Sequence, residues 1–220
     1  MFLYNLRLTR RSAMKCESEV KEILISNAIS LIAEGGFEKA TTKNLTNYST
    51  APEGVKMNEA YIYRLFGSKE NLYAAAFRRL DSEVYDAFKY AIDTVGDFSI
   101  ETTKKFDEFF LLAWQFILRN GERCRCYVRY FYSIYFKDES LTEHNRLFEG
   151  LIKKISPIFK EEADVKAILH SVFTTLLNFA IRVYNGELEN SEINRPHIFN
   201  VLYCMMVTYF KDGIRSFNFI

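Results

Sequence analysis

The chain contains few residues that interrupt a helix: its 220 residues include nine glycines and only three prolines, at positions 52, 157 and 196. Proline removes a backbone donor and glycine weakens a helix, so their scarcity favours long helices with short connections over a turn-rich sandwich or barrel. The chain is 49% hydrophobic and 26% charged, a balance typical of a globular protein rather than a disordered one. We therefore predict an all-α fold.

Positive charge is concentrated towards the N-terminus. Residues 1–80 hold 12 Lys and Arg against 8 Asp and Glu, whereas the remaining residues hold 17 against 20. The formal net charge of +1 excludes a protein that binds polyanions through bulk charge alone. Arg10, Arg11 and Lys15 belong to a basic cluster in the segment 1–17, which is either a solvated tail or an arm that reaches phosphates.

The sequence shows no sign of export or membrane insertion. No run of about 18 apolar residues is present, and the first seven residues are too few and too soon charged for a signal peptide. The four cysteines are consistent with a reducing compartment. We therefore expect a cytoplasmic protein with no membrane partner.

The first clear helical period lies between positions 20 and 32. Its apolar residues recur at spacings of three and four, which places them on one face of an amphipathic helix. These residues are Val20, Ile23, Leu24, Ala28, Leu31 and Ile32. The glycine pair at 35–36 favours an end to this helix, because glycine readily adopts the left-handed conformation of a helix stop.

Two short helices separated by a turn are predicted next. The threonines at 41–42 offer an N-cap to a helix that contains Leu45. The segment 50–56 contains a proline and a glycine, which favours a turn. Asn58 can cap a second short helix, and Ser68 can cap a longer one. Two short helices joined by a turn form a helix-turn-helix, whose second helix can lie in the major groove of DNA.

The motifs of this region follow a recognisable order. Residues 36–42 read Gly-Phe-Glu-Lys-Ala-Thr-Thr, residues 63–66 read Tyr-Arg-Leu-Phe, and residues 68–72 read Ser-Lys-Glu-Asn-Leu. This order resembles the N-terminal domain of TetR-family transcriptional regulators, which has a Gly-aromatic pair, paired threonines, a Tyr-x-x-Phe and a Ser-Lys-Glu before a leucine. The resemblance covers roughly residues 18–80.

The resemblance implies a ligand-responsive transcriptional regulator, a repressor in the simplest case, that binds a palindromic operator in double-stranded DNA as a homodimer. It implies phosphate contacts for Thr42, Tyr63 and Lys69. The candidate DNA-contacting residues, with Arg64 added for its charge and position, are Thr42, Asn58, Glu59, Ala60, Tyr61, Tyr63, Arg64 and Lys69. A structural alternative stands beside these roles, since Tyr63 can pack inwards and Lys69 can be a solvated charge.

One departure from the family pattern concerns the turn between the two short helices. It is about six residues longer than is usual in the family, and the excess falls within 47–57. Doubling the length of a loop costs only about 0.6 kcal/mol, so we expect the fold to tolerate the longer turn. The departure gives an alternative function, a small-molecule-binding helical dimer that has lost operator recognition.

Beyond Gly96, five further segments carry helical signals, near 99–119, 122–136, 139–155, 164–186 and 196–214. With the four helices before them the total is about nine, the number that the family resemblance implies. We predict an N-terminal helix-turn-helix DNA-binding domain over 1–67, with an arm at 1–17. A helical ligand-binding and dimerisation domain follows over 68–220.

The segment 99–136 is dense in aromatic residues, most of which must belong to the core. The family resemblance implies an effector pocket in this region, and a mostly aromatic lining suits a flat, aromatic or lipophilic effector, including a cationic one. The candidate pocket residues are Phe110, Trp114, Tyr127, Tyr130, Phe131 and Phe173. Plain core packing is the alternative for each of them.

The last two predicted helices carry long apolar faces. These faces either close the core of the monomer or pair with a second copy in a four-helix bundle, which is how the family dimerises. The candidate interface residues are Val172, Leu176, Phe179, Val201, Met205 and Tyr209.

Neither a metal site nor a catalytic site is expected. Cys124 and Cys126 are separated by a single residue, shorter than the usual metal-ligand gap, and the three histidines are scattered. The sequence contains no nucleophile elbow, phosphate-binding glycine loop or His-Glu-x-x-His motif. We therefore expect no enzyme and no cofactor.

Overall fold

The structure is a computed structural model that describes the backbone of residues 2–48 and 57–214 and the side chains of 17–48 and 57–214. In that part the chain forms nine α-helices, one 3₁₀ helix (Ser156–Ile158) and a single β-bridge between Phe159 and Phe210. The α-helices are α1 (Phe2–Gly35), α2 (Thr42–Asn47), α3 (Ala60–Phe66), α4 (Lys69–Val95), α5 (Thr102–Arg119), α6 (Gly121–Phe131), α7 (Asp138–Ile155), α8 (Val165–Tyr184) and α9 (Asn194–Val207). The predicted all-α fold is confirmed. The turn predicted at 50–56 lies outside the described residues.

Several helix boundaries differ from those read off the sequence. Helix α1 begins at Phe2 rather than near Val20, because residues 2–19 contain neither glycine nor proline to interrupt a helix. The predicted arm is therefore helical along its backbone. Helix α6 stops before the predicted end at 136, because Ser133 Oγ donates to the Tyr130 carbonyl (2.7 Å) and accepts from the Tyr135 amide (3.1 Å).

The chain divides into two compact units. The first comprises Met1–Leu80 with Arg125–Ser140, and the second comprises Asp81–Cys124 with Leu141–Ile220. This division follows packing within the chain. The functional boundary between 67 and 68 stays a prediction.

The core of the first unit forms around α1. Five of the six residues in its predicted apolar stripe are buried, and Ile23 is partly exposed. Leu45 of α2 and Ile62 of α3 are fully buried, and both short helices pack on α1. The stripe thus provides the apolar surface that the helix-turn-helix needs.

Three buried or partly buried polar side chains bind backbone carbonyls in this unit. Tyr73 OH donates to the Ala40 carbonyl at 2.6 Å, and Asn27 Nδ2 donates to the Leu45 carbonyl at 2.8 Å. Arg129 Nη1 donates to the Ile32 carbonyl at 2.6 Å. Leu45 lies in the last turn of α2, where carbonyls lack a partner within the helix, and Ala40 lies in the connection before α2. The Ile32 carbonyl, at the end of α1, also accepts from the Gly36 amide at 2.9 Å.

The core of the second unit is built by α5, α8 and α9. Helices α4 and α5 run antiparallel, since the Phe88 and Phe109 rings lie 5.6 Å apart and Lys105 Nζ donates to the Val95 carbonyl at 2.6 Å. By length and composition, α8 is the one described helix that is apolar enough to cross a membrane. It contacts α5 and α9, and 28% of the residues in its most apolar 18-residue stretch are buried.

Replacing Tyr73 by Phe is expected to lower the free energy of unfolding by about 1–2 kcal/mol, because the buried Ala40 carbonyl loses its donor. Burial raises the pKa of the Tyr73 phenol above its ordinary value. The neutral hydroxyl therefore stabilises the fold below pH 10, and that contribution is lost as the pH rises above about 10. Denaturant titrations of both proteins at several pH values measure the difference.

The matched control is Tyr132→Phe, which removes a hydroxyl from a side chain that is 66% exposed. It should leave the unfolding midpoint unchanged. A Tyr73→Phe protein as stable as the parent would contradict the assigned role of the hydroxyl.

Candidate nucleic-acid interface and ligand-binding surfaces

Helix α2 is fixed at its start by the predicted cap. Thr41 Oγ1 accepts a hydrogen bond from the Asn44 amide at 3.2 Å. Leu45 and Thr46 are its buried residues, so Thr42 and Lys43 remain on the accessible side. The N-cap signal in the sequence therefore places Thr42 in the first turn of a short, surface-facing helix.

Helix α3 is likewise bounded by local interactions. Asn58 Oδ1 accepts from the Ala60 amide at 3.0 Å, and the helix ends at Gly67, whose φ is +79°. Ser68 Oγ then accepts from the Asn71 amide at 3.0 Å at the start of α4. Within α3, Ile62 points into the core while the side chain of Tyr63 is 55% exposed.

The eight candidate DNA-contacting residues lie on α2, α3, the residues just before α3, and the first residue of α4. The exposed ones are Asn58, Glu59, Ala60, Tyr63 and Arg64, and the partly exposed ones are Thr42, Tyr61 and Lys69. None of the eight is buried. Their contacts with DNA stay predictions.

Some of these side chains already have partners within the chain. Thr42 Oγ1 donates to Glu59 Oε2 at 2.7 Å, a bond that joins the start of α2 to the start of α3. Arg64 forms an ion pair with Glu17 (3.2 Å), and its guanidinium lies 4.5 Å from the centre of the Tyr61 ring. Binding of a phosphate by Thr42 or Arg64 must therefore compete with these contacts.

Lys43 is a further exposed cation of this surface that is absent from the residues predicted from the sequence. It is exposed and follows Thr42 in the first turn of α2. The signal that could have found it is its position directly after the capping pair, where a lysine and the backbone amides of the helix N-terminus can approach the same phosphate.

The six candidate pocket residues fall in different units. Phe110, Trp114 and Phe173 belong to the second unit, whereas Tyr127, Tyr130 and Phe131 belong to the first. Trp114 is 2% exposed, and its indole Nε1 donates to Asn190 Oδ1 at 3.1 Å. In the first unit, Phe77 stacks on the rings of Tyr127 (5.1 Å) and Tyr130 (4.6 Å). Four of the six rings are buried in their unit's core, whereas Phe131 and Phe173 are half-buried. The role of all six as a pocket lining stays a prediction.

A groove of about 790 Å³ lies on the second unit, on the faces of α4 and α5 that point away from the core. Its walls include Glu83, Asp86 and Tyr90 from α4 and Leu112, Phe116 and Arg119 from α5. None of the six candidate pocket residues lines it. We call this cleft the α4–α5 groove.

The six candidate interface residues differ in how far they are buried within the monomer. Val172 and Leu176 are buried within the monomer, and Phe179 and Met205 are partly exposed. Val201 and Tyr209 are 46% and 45% exposed. The residues of the predicted interface that remain accessible are therefore mainly those of α9 and the turn that follows it.

The cysteines and histidines do not assemble into a ligand set. Among the described side chains no group of three or more His, Cys, Asp or Glu is placed to hold a metal ion. Burial raises the pKa of the Cys124 thiol to about 12, which keeps it protonated. His144 Nδ1 lies 2.9 Å from Asp81 Oδ1, a contact that joins α7 to α4.

No family model matches the chain, and no curated protein matches its sequence. Solved structures do match. A TetR family transcription regulator from Marinobacter aquaeolei VT8 is 15% identical with a TM-score of 0.68, over 89% of this chain and 97% of the other. A TetR family regulator from Shewanella sp. PV-4 has the same identity and TM-score, over 84% and 96% of the two chains.

A third structure, of a protein from Saccharomonospora viridis named as a transcriptional regulator, contains choline. It is 17% identical with a TM-score of 0.55, over 86% of this chain and 96% of the other. At such identities the likeness establishes the fold. The chain has the fold of TetR-family transcriptional regulators, and the resemblance seen in the sequence is confirmed at that level.

Replacing Gly67 by Ala is expected to destabilise the protein by about 1–2 kcal/mol, because a Cβ disfavours the positive φ at the end of α3. The matched control is Gly150→Ala in α7, where the added methyl group meets open space. That change should stabilise the protein by up to about 1 kcal/mol, since alanine favours helix. Thermal unfolding of both variants measures these changes in stability. Equal changes in the two variants would contradict the assigned cost of a Cβ at the positive φ of Gly67.

Proposed function

We propose that this chain is a TetR-family transcriptional regulator, a repressor in the simplest case, which binds a palindromic operator as a homodimer. The observation that carries the proposal is the exposed surface of α3 and its flanking residues in this fold. A seven-residue helix presents Tyr61, Tyr63 and Arg64 outwards while Ile62 anchors it to the core. Side chains with donors, displayed on a short helix, suit the major groove and its flanking phosphates.

The proposed phosphate contacts are Tyr63, Lys69 and Thr42. Tyr63 offers an exposed hydroxyl, and Lys69 is the first residue of α4, next to the accessible amides of the helix N-terminus. Thr42 offers a hydroxyl that Glu59 holds in the free chain. Glu59 carries the charge that repels phosphate, so its proposed role is to accept from a cytosine amino group or to orient Thr42.

The proposed dimer forms through α8 and α9. Helix α8 is strongly apolar yet only 28% of its most apolar window is buried in the monomer, which leaves apolar surface to be covered. Val201 and Tyr209 extend that surface, whereas Val172 and Leu176 serve the monomer's own core. A two-fold dimer would present two reading helices to successive half-sites about 34 Å apart.

The proposed effector is a small aromatic or lipophilic molecule that binds the helical part beyond the helix-turn-helix. The choline in a structure of the same fold supports small organic ligands, cations among them. A hundredfold change in operator affinity requires about 2.7 kcal/mol of differential binding between the two states. A cytoplasmic location follows from this function, since the operator lies there.

Replacing Tyr63 by Phe should weaken operator binding about tenfold, because the dimer loses two hydroxyl donors to phosphate, one from each copy. Replacing Lys69 by Ala should weaken binding by a similar factor and reduce the slope of log K against log salt by about 1.8, because the dimer loses two phosphate contacts. Fluorescence anisotropy on DNA from upstream of the chain's own gene, at two salt concentrations, measures both effects. Lys153→Ala, an exposed lysine in α7, is the matched control.

Selective binding to this DNA over scrambled DNA would support the regulator. Weak and equal binding to both DNAs, followed by failure to select any genomic fragment, would instead favour the small-molecule-binding dimer. Unchanged affinity in both variants would contradict the assigned phosphate contacts.

Replacing Val201 by Glu is expected to raise the dimer dissociation constant at least about a hundredfold, because a carboxylate enters an apolar interface. Sedimentation equilibrium across a concentration range measures this change. The control Tyr132→Glu adds the same charge to a residue that is 66% exposed and lies outside α8 and α9. A Val201→Glu protein with the parent's association would exclude this face as the interface.

A further inference from the structure

The α4–α5 groove has a polar end and an apolar end. Because α4 and α5 are antiparallel, residues near the middle of α4 face residues near the end of α5. Glu83 accordingly pairs with Arg123, in the first turn of α6 directly after α5, and Tyr90 and Leu112 line the rest of the groove. Tyr90 is seven residues beyond Glu83, so the two ends are about 10 Å apart along α4.

One pair of charges at the polar end is already satisfied. Arg123 Nε donates to Glu83 Oε2 at 2.7 Å, and its Nη2 donates to Glu83 Oε1, so the two side chains form a bidentate pair. This pair fixes the end of the groove and leaves it close to neutral.

A second pair of opposite charges, one from each wall, is exposed at this end of the groove. Asp86 from the α4 wall and Arg119 from the α5 wall are both exposed. In the described part of the chain, neither makes an ion pair or a side-chain hydrogen bond. Lys89, three residues beyond Asp86, interacts with it electrostatically, but Lys89 pairs with Asp93. The groove therefore offers a carboxylate on one wall and a guanidinium on the other.

Apolar surface follows these charges along the groove. Tyr90 is 65% exposed and lies one helical turn beyond Asp86, while Phe116 lies one turn before Arg119. From the polar end, the order of groups is thus a guanidinium, a carboxylate and then an aromatic surface. The volume of about 790 Å³ is within the range of small-molecule sites.

We propose that the α4–α5 groove binds an α-amino acid with an aromatic side chain. The order of groups along such a molecule matches the groove: its carboxylate meets Arg119, its ammonium group meets Asp86, and its ring lies against Tyr90 and Phe116. The site is distinct from the buried rings of the two cores. Its role as the effector site rests on the proposed function, whereas binding itself does not.

The test is isothermal titration calorimetry of the full chain with L-phenylalanine. Two analogues each lack one charged group: 3-phenylpropionate has no ammonium group, and 2-phenylethylamine has no carboxylate. Each loss should weaken binding about tenfold or more, the effect of one charge-assisted hydrogen bond. No detectable binding of L-phenylalanine, or equal binding of all three compounds, would overturn the proposal.

Substitutions assign the charged groups to the two walls. Arg119→Ala should weaken the binding of L-phenylalanine and 3-phenylpropionate about tenfold and leave that of 2-phenylethylamine unchanged. Asp86→Asn should weaken the binding of L-phenylalanine and 2-phenylethylamine and leave that of 3-phenylpropionate unchanged. Arg146→Ala, an exposed arginine of α7 outside the groove, is the matched control. Circular dichroism verifies folding, and Arg119→Gln replaces Arg119→Ala if helicity falls. Binding that persists unchanged in both groove variants would place the ligand elsewhere.

The calorimetry contains no DNA, so its result is separate from that of the operator experiment. Binding of L-phenylalanine without binding of any operator would support this site and contradict the proposed regulatory function. Binding of an operator without binding of any of the three compounds would support the regulatory function and contradict the proposed site.

Discussion

The helix-turn-helix depends on support from longer helices, because helices of six and seven residues are not stable in isolation. Burial of Leu45 and Ile62 against the apolar stripe of α1 supplies the main stabilisation. Hydrogen bonds from Asn27 and Tyr73 then satisfy backbone carbonyls at positions where the short elements cannot do so themselves. The orientation of the exposed residues of α3 follows from this anchoring, since Ile62 and Tyr63 are neighbours on a rigid backbone.

The same surface illustrates a competition between folding and binding. Thr42 and Arg64 both have partners in the free chain, Glu59 and Glu17, and these contacts are exposed and therefore weak. A phosphate can replace a glutamate as a partner at modest cost in free energy. Under the proposed function, the contacts within the chain hold the side chains in place before DNA binds, without preventing the exchange.

Much of the helical architecture was predictable because its signals are local. The stripe of α1, the caps at Thr41 and Ser68 and the glycine after α3 act within one or two helical turns, and the structure contains each of them. The cap predicted at Asn58 is displaced by one residue: Glu59 is the N-cap of α3 and makes no side-chain cap bond, while Asn58 accepts from the Ala60 amide. The boundaries were less predictable. The early end of α6 depends on the hydroxyl of Ser133, and the start of α1 lies in a segment without an apolar stripe.

The sequence by itself determined the helical class, the positions of the two short helices α2 and α3 and the threonine cap of α2, because periodicity and capping need only neighbouring residues. The tertiary structure decided which charges pair, which apolar faces are covered and where the groove lies. Arg123 meets Glu83 across 40 positions of sequence, and Val172 faces the core while Val201 faces outwards. Both outcomes depend on how separate helices pack, since the same helical period suits a core and an interface equally well.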